Sequence, residues 1–201
     1  MTDPLDIEAR LQRLDPPRLA AFCAALTERL FPNFALFSRL VEFGDAPQMR
    51  QILNGVWDHL GNTGAKMNFE VQLDKVEANL PDLDEFDMYG ASPALDAVLA
   101  LFSTVTSILE GEAEEAVSVS NLSRECVAHF IEVTEGDDQM SDEELVRFIN
   151  THEMMQQEEA FQQDVLDLLE AGKTLNAARL RELRTLAQNE GVSNIGISDD
   201  D

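Results

Sequence analysis

The chain has 201 residues, 44% of them hydrophobic, and carries 39 acidic side chains against 14 basic ones, a formal net charge of −25. A chain of this length buries roughly 70% of its unfolded surface, and its apolar content is that of a folded globular protein rather than a disordered one. The charge weighs against nucleic-acid binding, which needs a basic face to neutralise phosphates, and residues 110–170 alone hold 18 acids against Arg124 and Arg147.

The first residues, Met1-Thr2-Asp3-Pro4, have neither the basic nor the apolar region of a signal peptide. No uninterrupted apolar run approaches the roughly 20 residues of a membrane span. Cys23 and Cys126 lie in apolar helical patterns outside any C-x-x-C, the setting of reduced core thiols. A cytoplasmic protein, with no nucleic-acid or membrane partner, is the expectation.

Glycine and proline punctuate a series of helix-like segments, and the strict alternation of half-buried strands is absent. Segment 4–14 opens at Asp3-Pro4 and segment 16–30 at Asp15-Pro16, each a capping side chain before a proline at the first helical position. Segment 33–41 is expected to meet 16–30 at Pro32, where the ladder loses a donor. Asp45-x-x-Gln48 reads as a capping box for 46–60. Gly44, like the glycine after several other segments, stands where a left-handed helix end is expected.

After 67–79 comes the longest connection, 80–91. Segment 92–110 then opens at Ser92-Pro93 and carries one charge, Asp96, before its last residue, with Leu95, Val98, Leu99, Leu101, Phe102, Val105, Ile108 and Leu109 on nearly every side. A helix apolar all round is a buried one, so 92–110 is expected at the centre. Segment 113–134 shows an apolar stripe at Val119, Leu122, Cys126, Phe130 and Val133. Segment 142–171 opens with the capping box Ser141-x-x-Glu144 and has two apolar stripes out of phase, which predicts a kink or break near Gln156. The last helix, 175–190, carries Arg179, Arg181 and Arg184 after Lys173, the one basic spot; pairing with neighbouring acids is the plain explanation and an anion site the alternative. The fold class is therefore all-α: one compact bundle of about eight helices around 92–110, a single domain over 1–197 with an acidic frayed tail at 198–201.

The sequence holds little recognisable chemistry. His59, His129 and His152 lack the Glu-x-x-His spacing of di-metal bundles, and His152-Glu153 lacks the second histidine of a zincin helix. The acidic loop from Asp137 has Asp142 where a calcium loop needs glycine and Phe148 where it needs glutamate. No phosphate loop or nucleophile elbow occurs, so no metal and no cofactor is expected, no catalytic residue is named, and whether the chain is an enzyme stays open. What remains is a group of polar residues in apolar company: Asn33 after Pro32, Lys66 and Asn68 at a helix entry, Asp87 and Tyr89 in the long connection, and Asp96, whose buried charge needs a partner such as Lys66. They form either a structural network or a polar ligand pocket near the start of 92–110.

The stretches Glu28-Arg29-Leu30-Phe31-Pro32-Asn33-Phe34, Phe43-Gly44-Asp45, Ala65-Lys66-Met67-Asn68-Phe69-Glu70, Phe86-Asp87-Met88-Tyr89-Gly90, Met140-Ser141-Asp142-Glu143-Glu144-Leu145 and Ser193-Asn194-Ile195-Gly196-Ile197 resemble the YjaG-like family of bacterial proteins, in order and over nearly the whole chain. The resemblance implies a single all-helical domain from a proteobacterium and, the family being one of unknown function, no catalytic residues. Two functions follow as expectations: a non-catalytic module that binds another protein through the acidic face of 113–171 or an apolar groove beside it, and, as the alternative, a binder or enzyme for a small molecule using the six polar residues. The oligomeric state stays open.

Overall fold

The computed structural model describes residues 4–137 and 139–199; the expected cap at Asp3, Asp138 of the acidic loop and the last two aspartates lie outside the described residues. Among the described residues there are nine α-helices: α1 (Pro4–Leu11), α2 (Pro16–Val41), α3 (Ala46–Leu60), α4 (Phe69–Glu77), α5 (Ala91–Glu110), α6 (Ala113–Glu135), α7 (Asp142–Thr151), α8 (Glu153–Glu170) and α9 (Ala177–Gln188), with a 3-10 turn at Asn189–Gly191.

The two segments expected to meet at Pro32 are one helix. α2 runs through the proline without interruption, and 17 of its 26 residues are buried. A proline inside a helix costs about 3 kcal/mol, which burial of Phe22, Leu26, Leu30 and Phe34 offsets, at roughly 1.5–3 kcal/mol for each large apolar side chain. α2 packs against α3, α5, α6, α8 and α9, and α5 against α2, α3, α4 and α6, so the two helices share the centre. Alanines at 20, 21, 24 and 25 of α2 and at 94, 97 and 100 of α5 are small and buried. Between the helices, the buried Thr27 and Thr104 hydroxyls meet at 2.8 Å and Thr104 donates on to the Ala100 carbonyl, so neither is left unsatisfied. By length and composition α5 could cross a membrane; here it is a core helix.

Asp15 and Asp45 cap α2 and α3, and Ser141 with Glu144 forms the expected capping box on α7. α5 differs: it starts at Ala91 behind Gly90 with no side-chain cap, so Ser92-Pro93 falls inside its first turn. Glu42, not Gly44, is the left-handed residue that ends α2. Gly44 is needed for another reason: at φ +73° a Cβ there would lie 2.7 Å from Asn79 Oδ1, which accepts from the Asp45 amide.

The break in 142–171 falls at His152, four residues before Gln156. Its backbone is extended, its Nδ1 accepts from the Met154 amide, and its Nε2 lies 3.1 Å from Glu135. α6 is rotated relative to the expected stripe. Its inward face is Ala116, Val119, Ser120, Ser123, Cys126, Val127 and Ile131, while Val133 is 54% exposed. The serines turn inward because Gln162 bonds Ser120 and Asn194 bonds Ser123.

The tail packs on the body. Ser193 and Ile195 are buried, Val192 pairs with Ser198 in an antiparallel bridge, and Arg39 holds Asp199 at 2.9 Å.

Candidate functional site

Three of the six singled-out residues come together. Asn33 on α2, Tyr89 before α5 and Asp96 on α5 surround one polar region beneath α6. Asn33 Nδ2 donates to Asn194 Oδ1 at 3.1 Å, and Asn194 donates to the Ser123 carbonyl. Asn33 Oδ1 and the Tyr89 hydroxyl are buried without a hydrogen-bond partner. The Tyr89 ring stacks against His129 and Phe130. Burial pushes the Asp96 carboxyl up to about 6; the Cys126 thiol facing it moderates the rise and Glu125 adds to it. The partner of Asp96 is thus Cys126 on α6, and its ion pair with Lys66, an exposed side chain, is not formed. Asn68 caps α4 through the Val71 amide, and Asp87 is exposed in the connection.

Next to this region a second buried carboxyl, Glu158 on α8, is raised by complete burial and accepts from Gln162 at 2.8 Å. Burial pushes both the Cys23 and Cys126 thiols up, Cys23 to about 12, which makes them poor nucleophiles. These groups lie inside the bundle and line none of the open cavities described below.

The site with open space lies between α2, α3 and the end of α9, a cleft of about 940 Å³. At its base Glu28, 3% exposed, accepts from Arg50 Nη1 through one oxygen and from the Trp57 indole at 2.9 Å through the other. Arg50 lies flat over the Phe31 ring, 3.9 Å from its centroid. Arg184, from α9, reaches across to Asn54 through Nη2; its Nε is buried without a hydrogen-bond partner, 3.9 Å from Glu28. About a third of each arginine side chain remains exposed.

Thr185, Leu186, Gln188 and the turn Asn189–Gly191 complete the wall, and Pro32 of α2 faces it. That turn has three successive left-handed residues, Asn189 at φ +47°, Glu190 at +55° and Gly191 at +85°. A non-glycine residue costs roughly 1–2 kcal/mol there; Asn189 recovers part of it by donating to the Val192 carbonyl, and Glu190 has no such bond among the described residues. On the far side of α9, Arg29 fixes the helix end by donating to the Leu186 and Ala187 carbonyls while stacked on Phe161.

A second concavity, about 620 Å³, is lined by Arg10, Arg13 and Arg18. Arg10 is held by Asp167, Glu170 and Gln163, and Arg18 by Asp15 and the Leu169 carbonyl, so both serve to staple α1 and α2 to the end of α8.

Of the charged residues of the Glu28 cleft, only Arg184 is singled out by the sequence, within the basic spot, and its acidic neighbour is Glu28. Glu28 carries a usable signal: a lone carboxylate among the apolar residues of 16–30, as conspicuous as Asp96 in 92–110.

Fold and cleft together define an all-helical bundle with two braced guanidinium groups facing an open cavity. The chain belongs to the family described as "Protein of unknown function (DUF416)", which matches residues 6–198. It is 40% identical over 192 residues to "Uncharacterized protein YjaG" of Escherichia coli K12, covering 95% of each chain. It is 38% identical over 193 residues to the protein of the same name in Salmonella typhimurium, covering 96% of each. A crystal structure of a DUF416 family protein from Shewanella baltica OS155 superposes with a TM-score of 0.87 at 35% identity, covering 95% of this chain and 97% of that one.

Proposed function

We propose that the protein binds a small organic carboxylate in the cleft between Arg50 and Arg184. The observation that carries this reading is the pair of partly exposed guanidinium groups, oriented by a buried carboxylate, over a cavity in a chain that is otherwise strongly acidic. A guanidinium has five N–H donors. Arg50 uses one Nη1 donor on Glu28, and Arg184 donates through Nη2 to Asn54 while its Nε is buried; the remaining Nη donors suit an oxyanion, which arginine binds in a planar, bidentate way. Bracing by Glu28, Phe31 and Asn54 lowers the entropy lost on binding. The cleft volume lies in the usual range for small-molecule sites, about 300–1,000 Å³. Its lining includes no histidine, cysteine or serine, so its groups serve recognition better than bond-making.

Calorimetric titration with acetate, butyrate and hexanoate against chloride at equal ionic strength tests the reading. Binding of at least one carboxylate is expected, and Arg184→Gln should weaken it about 10- to 100-fold, the range of a lost charged hydrogen bond of roughly 1.5–3 kcal/mol. No heat from any carboxylate defeats the reading.

A second reading, docking of a basic protein on the acidic face, is favoured by α7. None of its residues is buried; Glu132, Glu143 and Asp164 are exposed on α6, α7 and α8, and Val133 of α6 and Val146 of α7 are exposed as well. It requires a partner that co-purifies at low salt, leaves at high salt, and is lost when those three acids are changed to lysine.

A further inference from the structure

We infer that the ligand of the Arg50–Arg184 cleft is a zwitterion, a small molecule with a carboxylate and a separate ammonium group, and that Glu190 receives the ammonium. The inference rests on the anion-cleft reading and goes beyond it. Four charged side chains line the cleft: Arg50 and Arg184, Glu28 and Glu190. They differ in availability. Glu28 is buried and its two oxygens are taken by Arg50 and the Trp57 indole, so it cancels one of the two positive charges from behind. What the base of the cleft presents is therefore one net positive charge distributed over two guanidinium edges. Glu190 is exposed, makes no ion pair among the described residues, and sits on the turn that closes the cleft beyond α9.

A plain carboxylate held by the arginines would also meet the uncompensated charge of Glu190, and like charges in one site repel. A zwitterion answers both ends: its carboxylate takes the free guanidinium donors and its ammonium takes Glu190. The four side-chain charges sum to zero, which matches a ligand of zero net charge and large dipole.

The backbone supplies the second argument. Glu190 is held at φ +55°, between Asn189 at +47° and Gly191 at +85°. Glycine adopts that geometry without strain and glutamate does not. A strained residue at a cavity wall signals that its side chain is wanted there. The only other wall residue with this strain is Asn189, whose amide is occupied in holding the turn through the Val192 carbonyl. The strain therefore fixes Glu190, and Asn189 supports it.

Replacing Glu190 separates a ligand contact from a structural role, because glycine relieves the strain while removing the charge. The full chain is titrated calorimetrically with glycine, 4-aminobutyrate and 6-aminohexanoate, and in parallel with acetate, butyrate and hexanoate. At least one amino acid is expected to bind tenfold or more tightly than its matched carboxylate. Glu190→Gln should erase that difference from both sides, weakening the amino acid and tightening the simple carboxylate, and Glu190→Gly should erase it while raising the melting temperature. If every carboxylate binds the wild-type protein as tightly as its amino counterpart, the zwitterion is wrong and the anion cleft stands. If Glu190→Gln weakens both series alike, Glu190 only shapes the cleft and the inference is overturned. If neither series binds, the anion-cleft reading fails with it.

Discussion

Asp96 sits where burial opposes its charge, and its carboxyl is pushed up to about 6 from an ordinary 3.8. The folded protein thus holds a proton on this group between pH 3.8 and about 6 that the unfolded chain has already released. Linkage then makes stability fall as pH rises through that window and stay level above it. The loss is at most about 3 kcal/mol, since each tenfold change in proton affinity is worth about 1.4 kcal/mol. Asp96→Asn should remove this part of the slope and raise the urea midpoint at neutral pH. Glu158 is shifted in the same direction, so the difference between wild-type and variant curves is the quantity to follow; an unchanged difference from pH 4 to 7 would refute the assignment. Asn33, Tyr89 and Asp96 are legible in the sequence as polar groups in apolar surroundings, but their partners are not. Cys126 and Asn194 reach them from 30 and 161 residues away respectively (96 to 126, 33 to 194), and that distance is bridged only by the rotation of α6 and the path of the tail. Lys66 matches Asp96 on charge alone, without any geometric reason.

Helix boundaries are more legible than helix faces, because caps are local. Asp15, Asp45 and Ser141 satisfy amides three residues on, within reach of sequence reasoning. Two misplacements share one physical cause, that tertiary packing overrides the local signal. Pro32 ends nothing because both flanks of α2 are buried against other helices. The break in 142–171 is at His152 because an imidazole, outside the usual capping set, accepts from the Met154 amide while its other nitrogen meets Glu135 of α6. His152→Ala should therefore behave as the loss of a cap, costing about 1 kcal/mol and lowering the melting temperature by roughly 2–4 °C for a chain of this size. His152→Asn, which keeps an acceptor for the amide, should recover most of it. Equal losses in the two variants would show that ring packing against Phe148, not capping, holds the α7–α8 junction.

Over the whole molecule the −25 charge acts against compaction, and the cations are too few to cancel it. In residues 110–170 the 18 acids share Arg147, Arg124, which meets Glu159 at 3.5 Å, and Arg10, which reaches in from α1 to Asp167 and Glu170. Most of the remaining acids of α6, α7 and α8 are exposed to solvent. Such repulsion is screened by salt, with a Debye length of about 30 Å at 0.01 M and about 8 Å at 0.15 M. Potassium chloride raised across that range should therefore raise the melting temperature, and most of the rise should vanish when Glu132, Glu143 and Asp164 are neutralised to Gln, Gln and Asn. The same experiment separates field from site. Replacing chloride by a carboxylate at fixed ionic strength leaves screening unchanged, so any additional rise reports occupation of the cleft and should disappear in Arg184→Gln. A melting temperature flat in chloride would mean that the acidic face costs the fold nothing. A rise in chloride that survives neutralisation of the three acids would place the repulsion in acids other than these three.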